Sequence, residues 1–364
     1  MKTNTNSLTA LALQKFKKNT TGVFSFWFIV LCGFVAIFAY TLAPDNSSNA
    51  NQMHLEIHSK KPGFNVLMLS IPSKTTTNQS FFDTLFFGEK NVSTEIPISD
   101  YNISKDLLNY TLYSENNETS ISKTIPLSAL NSQDITNFVK SKTFYLGTDK
   151  YGRDLLSRML VGTRISFFIG FIAVFISLLI GISIGAMAGY FGGKIDAFIM
   201  WLINITWSIP TLLLVIAITL ALGKGFWQVF IAVGLTMWVE VARVVRGQIM
   251  SAKEMQYVEA AKALGFSNYR IIFKHILPNI MAPVIVISAA NFAAAILIES
   301  GLSFLGIGAQ PPTPSWGAMI KDHYSYIILG KAYLAIIPGL AIMSLVMAFM
   351  LIGNALRDAL DVKN

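Results

Sequence analysis

Residues 165–193 read ISFFIGFIAVFISLLIGISIGAMAGYFGG, a run of 29 residues without Asp, Glu, Lys or Arg. A helix needs about 20 apolar residues to cross the hydrocarbon core of a bilayer, so this run predicts a transmembrane helix. The composition agrees, because 53% of the 364 residues are hydrophobic and only 13% are charged, whereas soluble domains carry about 25% charged residues. The sequence therefore predicts a membrane protein.

Five further segments have the same apolar character, so we predict an all-α polytopic membrane protein with six transmembrane helices. The uncharged run 300–320 is not counted, because the prolines between residues 311 and 314 would break a helix there. The first span follows three lysines, as a signal peptide does, but it exceeds the about 7 to 15 apolar residues of a signal sequence, which favours an uncleaved anchor. The predicted helices cover residues 23–43, 165–191, 197–222, 226–250, 279–301 and 332–356.

The positive charges are concentrated in two segments that we expect to face the cytoplasm. The arm 1–22 has four lysines and no acid, and residues 243–274 carry six basic residues against two acidic ones. Together these two excesses equal the formal net charge of +8. Because basic loops stay on the cytoplasmic side, both termini are predicted to be cytoplasmic and residues 44–146 to lie outside.

Residues 44–146 form an insert between the first two spans, and its composition differs from the rest of the chain. The insert is rich in Asn, Ser and Thr and contains short alternating apolar runs such as 64–71 and 110–113. Alternation with a period of two is typical of strands, so a small β-rich extracytoplasmic domain is predicted. A short helix is expected at about residues 131–142.

The loop 252–278, between the fourth and fifth spans, carries the clearest functional signal. It reads YVEAAKALGFS over 257–267 and KHILPN over 274–279. We predict a helix over 252–264 that ends at a glycine, and a second helix over the remainder of the loop. Two short helices that meet at a glycine form a rigid knob suited to docking into a partner's cleft. An amphipathic loop lying on lipid headgroups explains the residues equally well.

Glu259, Ala260 and Ala261, followed by Gly265 and by Leu-Pro at 277–278, resemble the EAA motif of permease subunits of binding-protein-dependent ABC importers. The segment HILPN at 275–279 has His where the general pattern has Ile. This segment is similar to the sequence of the dipeptide and oligopeptide branch of that family. The resemblance extends from residue 146 to the end of the sequence and leaves out the insert. Further similar segments lie at 147–166, 299–317 and 356–361.

The resemblance implies a type I ABC importer permease core, built from the second to the sixth span, within residues 147–364. Such a subunit forms half of a translocation channel for di- or oligopeptides delivered by an extracytoplasmic binding protein, in the inner membrane of a bacterium. The implied partners are a homologous second permease, two ABC ATPase subunits, the binding protein and the lipid bilayer, with no nucleic acid. The residues implied to couple the chain to the ATPase are Glu259, Ala260, Ala261, Gly265, Phe266, Ser267, Leu277 and Pro278.

The sequence contains no motif that would make this chain an enzyme. The phosphate-binding pattern GxxxxGK[ST] does not occur, since the nearest candidate, residues 189–194, has the wrong spacing. One cysteine and four scattered histidines give no metal-ligand pattern, and no Ser, His and Asp set indicates catalysis. We therefore expect no cofactor or metal on this chain, with ATP and Mg²⁺ used by the partner ATPase.

Polar residues inside the spans are candidates for the translocation pathway or its gate, because ionisable groups in a bilayer are usually functional. Two of these candidates have a structural alternative. Glu240 would form a neutralising pair with Arg243 one turn on, and Glu299 would tie an external loop to a helix end. The candidates are Trp207, Pro210, Glu240, Asn291 and Glu299.

The external loop after the fifth span supplies the candidate contacts for the binding protein, namely Pro311, Pro312, Pro314 and Trp316. The substrate is less well defined, because in the family the binding protein does most of the selecting, so nickel or another small solute is an alternative to peptides. A secondary carrier or membrane scaffold that ATP does not drive is a further alternative. In that case the knob would bind only headgroups.

Overall fold

The computed structural model describes residues 8–72, 79–90, 93–104, 106–115, 121–130, 138–223 and 225–361. These residues group into two compact units. The first, here called the helical unit, comprises the described parts of 1–33, 166–310 and 340–364. The second, here called the mixed unit, comprises those of 34–165 and 311–339.

The mixed unit contains a five-stranded antiparallel sheet with the strand order β4-β3-β2-β1-β5. β1 spans Phe64–Ile71, the run that the alternation predicts as a strand, and Leu69 is paired with Ile96 on one side and Val139 on the other. Successive residues of β1 pack into two different apolar clusters, so both faces of the sheet are covered. The predicted β-rich insert is confirmed. The other strands are β2 Thr94–Ser104, β3 Leu107–Leu112, β4 Ser122–Pro126 and β5 Val139–Phe144.

The helix predicted at 131–142 is wrong where it can be compared, because residues 139–142 lie in β5. Residues 131–137 fall outside the described residues. β5 pairs with β1 over six residues, from Phe64 opposite Phe144 to Leu69 opposite Val139. Pairing with a central strand decides the conformation here, since strand preference depends on packing context more than on local sequence.

The helices of the chain include five that are long and apolar enough to cross a membrane, or six if a bent pair of helices is counted as one span. This count refers to the described residues and agrees with the predicted all-α polytopic fold. The shorter helices are α1 Leu8–Lys18, α3 Ala39–Leu42, α4 Phe81–Phe87, α9 Gln256–Ala263, α10 Asn268–Arg270 and α12 Trp316–His323. The spans are α2 Thr20–Ile37, α5 Leu155–Phe191, the pair α6 Gly193–Ser208 and α7 Thr211–Leu222, α8 Phe226–Lys253, α11 Met281–Phe304 and α13 Tyr333–Leu360.

The third span, predicted at 197–222, is interrupted in the sequence by Pro210, which can kink a membrane helix. The structure bends there by 92° between α6 and α7. Ile209 takes an extended conformation, with φ −90° and ψ 127°, and Pro210 precedes the first residue of α7. Proline has no N–H for a helical hydrogen bond, and it pushes the residue before it out of the helical region. The proline therefore ends one helix and begins the next.

Glycines at 181, 185 and 189 of α5 are spaced four residues apart, which predicts a close helix-packing face. The structure confirms this face, and the packing partner is α8. A Cβ at Gly185 would stand 2.4 Å from the carbonyl oxygen of Ala242, and one at Gly181 would stand 2.6 Å from Cβ of Val241. Only glycine permits the backbones to approach so closely, so these positions fix α5 against α8.

Candidate functional site

The knob, which we define as residues 254–280, begins with a break in the chain. The predicted helix over 252–264 is in fact divided, because α8 ends at Lys253 and α9 begins at Gln256. Met255 between them is extended, with φ −83° and ψ 145°. Val258 and Ala261 on one side of α9 are buried in a cluster with residues of α8. This contact holds α9 against the end of the spanning helix.

Gly265 closes α9 with the hydrogen bonds of a Schellman motif. Its N–H donates to the carbonyl of Lys262 at 2.9 Å, and the N–H of Phe266 donates to the carbonyl of Ala261 at 3.2 Å. The φ of Gly265 is +74°, in the left-handed region that L side chains rarely adopt. The predicted end of the helix at this glycine is confirmed, and the glycine sets the corner of the knob.

The second limb of the knob is continuously helical into the fifth span. Ser267 caps it by accepting a hydrogen bond from the N–H of Arg270 at 3.4 Å. A π-helical turn over 271–276 and a 3₁₀ turn over 277–280 then lead into α11. Proline in the 3₁₀ turn lacks an N–H, and the side-chain amide of Asn279 donates instead to the carbonyl of His275 at 2.7 Å.

Phe266 lies inside the corner of the knob and not on its surface. The guanidinium of Arg270 stands 4.0 Å from the centre of its ring, and the ring of His275 stacks on it at 5.5 Å between centroids. Guanidinium and imidazole groups are favourable partners for an aromatic face. Phe266 therefore packs the corner onto the second limb of the knob and stiffens it.

The eight predicted coupling residues divide by exposure. Ala261 and Leu277 are buried and Phe266 is half-buried, so these three hold the knob together. The other five form its outer surface: Glu259, Ala260, Gly265, Ser267 and Pro278.

The sequence reasoning missed two large apolar residues on the same surface. Leu264 is 72% exposed and Tyr269 is 70% exposed, and both flank the corner at Gly265. The sequence could have indicated Leu264, because it directly precedes the glycine that ends a short polar helix. Ala261, one turn earlier, already fills the buried side of that helix, so Leu264 is left at the surface. Exposed apolar groups of this size beside a rigid corner indicate a contact surface.

A cavity of about 150 Å³ lies beside the bend in the third span. Trp207 from α6 and Glu240 from α8 line it, together with Thr206, Thr211 and Thr236. Glu240 is exposed although it lies in the middle of a spanning helix. A carboxylate in contact with lipid tails is very unfavourable, so this position indicates a water-accessible or protein-covered face.

Arg243 does not form the ion pair with Glu240 that the spacing favoured. Its guanidinium instead lies 3.6 Å from the centre of the Trp207 ring and donates to the side-chain oxygen of Asn204 at 3.2 Å. Both partners belong to α6, so the arginine crosses between helices and leaves the carboxylate one turn earlier to face the cavity. The next arginine, Arg246, forms a two-pronged pair with Asp196 at 2.5 and 2.6 Å, which the sequence reasoning did not identify.

Asn291 and Glu299 are not among the residues that line this cavity, and each is 1% exposed within α11. Glu299 accepts a hydrogen bond from the hydroxyl of Ser303 at 2.7 Å, and that hydroxyl accepts one from the N–H of Ala309 at 3.2 Å. This chain of bonds ties the end of α11 to the loop after it. The structure thus supports the structural alternative for Glu299.

The candidate docking loop in the mixed unit is only partly at the surface. Pro314 is buried and Trp316 is 4% exposed, with its indole N–H donating to the carbonyl of Met159 at 3.1 Å. These two residues fill space under the loop and offer no exposed surface in this conformation, and the docking role of the loop stays a prediction. Pro311 and Pro312 are exposed and line a cavity of about 350 Å³.

Two arginines that line the same cavity, Arg153 and Arg158, belong to a charged cluster inside the mixed unit. Asp149 is fully buried and binds the guanidinium of Arg153 at 2.6 Å, and Arg158 lies 3.6 Å from it. His323 is buried nearby, its Nδ1 lies 2.7 Å from the carbonyl oxygen of Met319, and burial lowers its pKa. This ion cluster is internal, so it orders the loop segments.

Residues 181–363, half of the chain, match the family described as the binding-protein-dependent transport system inner membrane component. The chain belongs to this family. Residues 7–62 also match the N-terminal TM domain of oligopeptide transport permease C. The family identifies the chain as a multi-pass inner-membrane permease subunit of an ABC importer, which works with separate ATPases and a binding protein. All five strands described above lie between the two matched ranges.

Curated relatives show the same similarity. A glutathione transport system permease, GsiD, of Pectobacterium atrosepticum is 40% identical over 230 residues, which are 63% of this chain and 76% of the relative. A dipeptide transport system permease, DppC, of Bacillus subtilis is 41% identical over 227 residues, covering 62% and 71%. Among solved structures, the inward-facing MetNI methionine ABC transporter is 19% identical, with a TM-score of 0.45, and covers 56% of this chain and 96% of that one.

Proposed function

We propose that this permease subunit forms half of the channel through which an ATP-driven importer carries di- or oligopeptides. The support for peptides is the naming of the relatives: permeases of dipeptide and glutathione systems are 40–41% identical to this chain. The match of residues 7–62 to the oligopeptide permease C domain points to the same class of substrate.

The knob docks into the ATPase. The observation that supports this role is the rigid corner at Gly265, which lies on the surface of the knob. Glycine closes the corner with two backbone hydrogen bonds, and Phe266 is held between Arg270 and His275. On the outside, Leu264 and Glu259 are exposed. A stiff corner transmits a push without absorbing it, so closure of the ATPase dimer would move the spanning helices between inward- and outward-facing states.

The pathway runs past the cavity between Trp207 and Glu240, where the bend at Pro210 opens the third span. The carboxylate of Glu240 has no ion-pair partner among the described residues, and three threonine hydroxyls line the same cavity. Peptides carry amide and ammonium groups that such a lining can hydrogen-bond. We assign Asn291 and Glu299 to packing around this region, not to direct contact with substrate.

The assembly we propose contains this chain, a homologous second permease, two ATPase subunits that use ATP and Mg²⁺, and a binding protein. Both termini and the knob face the cytoplasm, because short segments rich in Lys and Arg stay on that side and 1–22 and 243–274 are such segments. The insert and the exposed Pro311 and Pro312 face outward, where the binding protein approaches. The core of this role lies in residues 147–364.

The test replaces Glu259 with Gln, or Gly265 with Leu, and measures ATPase co-purification and ATP-dependent uptake of a labelled dipeptide. Both variants are expected to lose uptake, Glu259→Gln by weakening the contact and Gly265→Leu by straining the corner at φ +74°. Glu254→Gln is the matched control, because Glu254 is also an exposed glutamate of the loop but precedes α9.

Unchanged assembly and uptake in both variants would overturn the docking role of the knob. Uptake that persists without any ATPase would instead support the secondary carrier. A complex that assembles and hydrolyses ATP with its binding protein, but takes up nickel and no peptide, would contradict the substrate class alone.

A further inference from the structure

The short helix α4 in the insert has an unusual surface. Its sequence is FFDTLFF, and four of its phenylalanines keep between 43% and 67% of their surface exposed. Leu85 alone is buried on the inner side. Four exposed aromatic rings within seven residues are more apolar surface than so short a segment would retain in water without a partner. The exposed rings are Phe81, Phe82, Phe86 and Phe87.

The helix is fastened to the ends of the first two spans, from which the insert emerges. Arg164 in α5 donates to the carbonyl of Phe86 at 2.7 Å and stands 5.2 Å from the centre of the Tyr40 ring. Gly88 follows α4 with φ +73°, and a Cβ there would lie 2.8 Å from the same tyrosine ring. Tyr40 belongs to α3, which follows the first span directly. These contacts place α4 at the level where the spans leave the bilayer.

The helix α4 packs against α3, which directly follows the first span. Around this junction, Phe34 and Ile37 of α2 and Leu42 of α3 are 51%, 41% and 46% exposed, as expected for side chains that face lipid. Asp83 is also exposed on α4, and a carboxylate favours the headgroup region over the hydrocarbon core. An apolar patch with one acid, next to a lipid-facing helix end, fits the membrane interface.

We propose that α4 is an interfacial helix whose four exposed phenylalanines insert into the lipid leaflet on the side of the insert and hold the sheet domain at the membrane surface. Aromatic rings are favoured at the boundary between headgroups and acyl chains. Arg164 and Tyr40 are suited to the same layer, because each has a polar group on an apolar body. The anchor is independent of the solute that is transported.

The test uses the complete transporter complex in liposomes, with one fluorescent probe at a defined site. Cys32 is the single cysteine of the chain, so Cys32→Ala gives a background for labelling. An environment-sensitive NBD group on Phe82→Cys, and separately on Phe87→Cys, is exposed to phosphatidylcholine with brominated acyl chains and to aqueous iodide. We expect blue-shifted emission and strong quenching by the brominated lipid, with little quenching by iodide.

Ile121→Cys provides the matched control, because Ile121 is 59% exposed in the same domain, next to β4 at the sheet edge opposite β5. Its probe is expected to respond to iodide and not to brominated lipid. The proposal is overturned if iodide quenches both α4 probes and brominated lipid does not, since α4 would then lie in water. It is equally overturned if neither quencher reaches them, since a protein partner would then cover the patch.

Discussion

Truncating Leu264 to alanine tests the docking surface of the knob at its most exposed apolar residue. Burying apolar atoms contributes about 0.8 kcal/mol per CH₂ group, and the change removes three carbons. Because Leu264 is 72% exposed in the free chain, the part that an ATPase groove can still bury is worth at most about 1.7 kcal/mol. That corresponds to an ATPase affinity about 15-fold weaker. The fold of the permease loses almost nothing, since the side chain makes few internal contacts.

The affinity is measured between the purified ATPase and the permease pair in nanodiscs, with and without the change. Leu329→Ala is the matched control, because Leu329 is a leucine of similar exposure, 67%, in the mixed unit. We expect the control to bind the ATPase like the unmodified protein and to have the same thermal stability as Leu264→Ala. An affinity that Leu264→Ala leaves unchanged would refute the assignment of this surface to the ATPase.

Three further changes test the packing and charge of the fold. Gly185→Leu is expected to destabilise the chain by about 1–3 kcal/mol in thermal unfolding, because a Cβ there meets a backbone oxygen of α8 at 2.4 Å. The control Gly247→Leu should cause no such loss, because a Cβ at Gly247 meets nothing within 4 Å. Equal losses of stability in the two variants would contradict the packing face. Arg246→Lys cannot keep two hydrogen bonds to Asp196 and should cost about 0.5–1 kcal/mol of unfolding free energy. Burial lowers the pKa of His323, so its contribution to stability is lost as pH falls below the unfolded value of 6.5. Between pH 7 and pH 5.5 the melting temperature of the unmodified protein should therefore drop more than that of His323→Asn. Equal drops in the two proteins would exclude this histidine as the cause.

Sequence patterns were sufficient where one local rule dominates. Long uncharged runs identified the spans, because a helix satisfies all of its backbone hydrogen bonds within one segment and so can lie in lipid. The alternation at 64–71 identified β1, and glycines four residues apart identified a close packing face on α5, whose partner, α8, only the structure shows. Gly265 was recognised as a helix end because its conformation is one that other residues rarely adopt.

Features that depend on long-range partners were missed. The pair expected between Glu240 and Arg243 follows from helical spacing, but the ring of Trp207 and the amide of Asn204 on a neighbouring helix compete for the same guanidinium. β5 was predicted as part of a helix because its pairing with β1 joins positions about 70 residues apart. Burial of Trp316 was missed because its partner, the carbonyl of Met159, comes from a distant segment.

The arrangement of α8 gives a physical route from the knob to the cavity. At one end α8 shares a buried cluster with α9, and along its length the glycines of α5 hold it at backbone contact. Because the cluster and the glycine contact leave little free space, we expect a push on the knob to displace α8 as a rigid body and not to be absorbed locally. Glu240 lies on this helix and Trp207 on α6, which is tied to α8 through Arg243 and through the pair of Arg246 with Asp196. Beyond the break at Pro210, α7 makes neither of these side-chain ties but packs along α8. We therefore expect the ATPase stroke to reach the cavity through α8 and α6, whose residues line it.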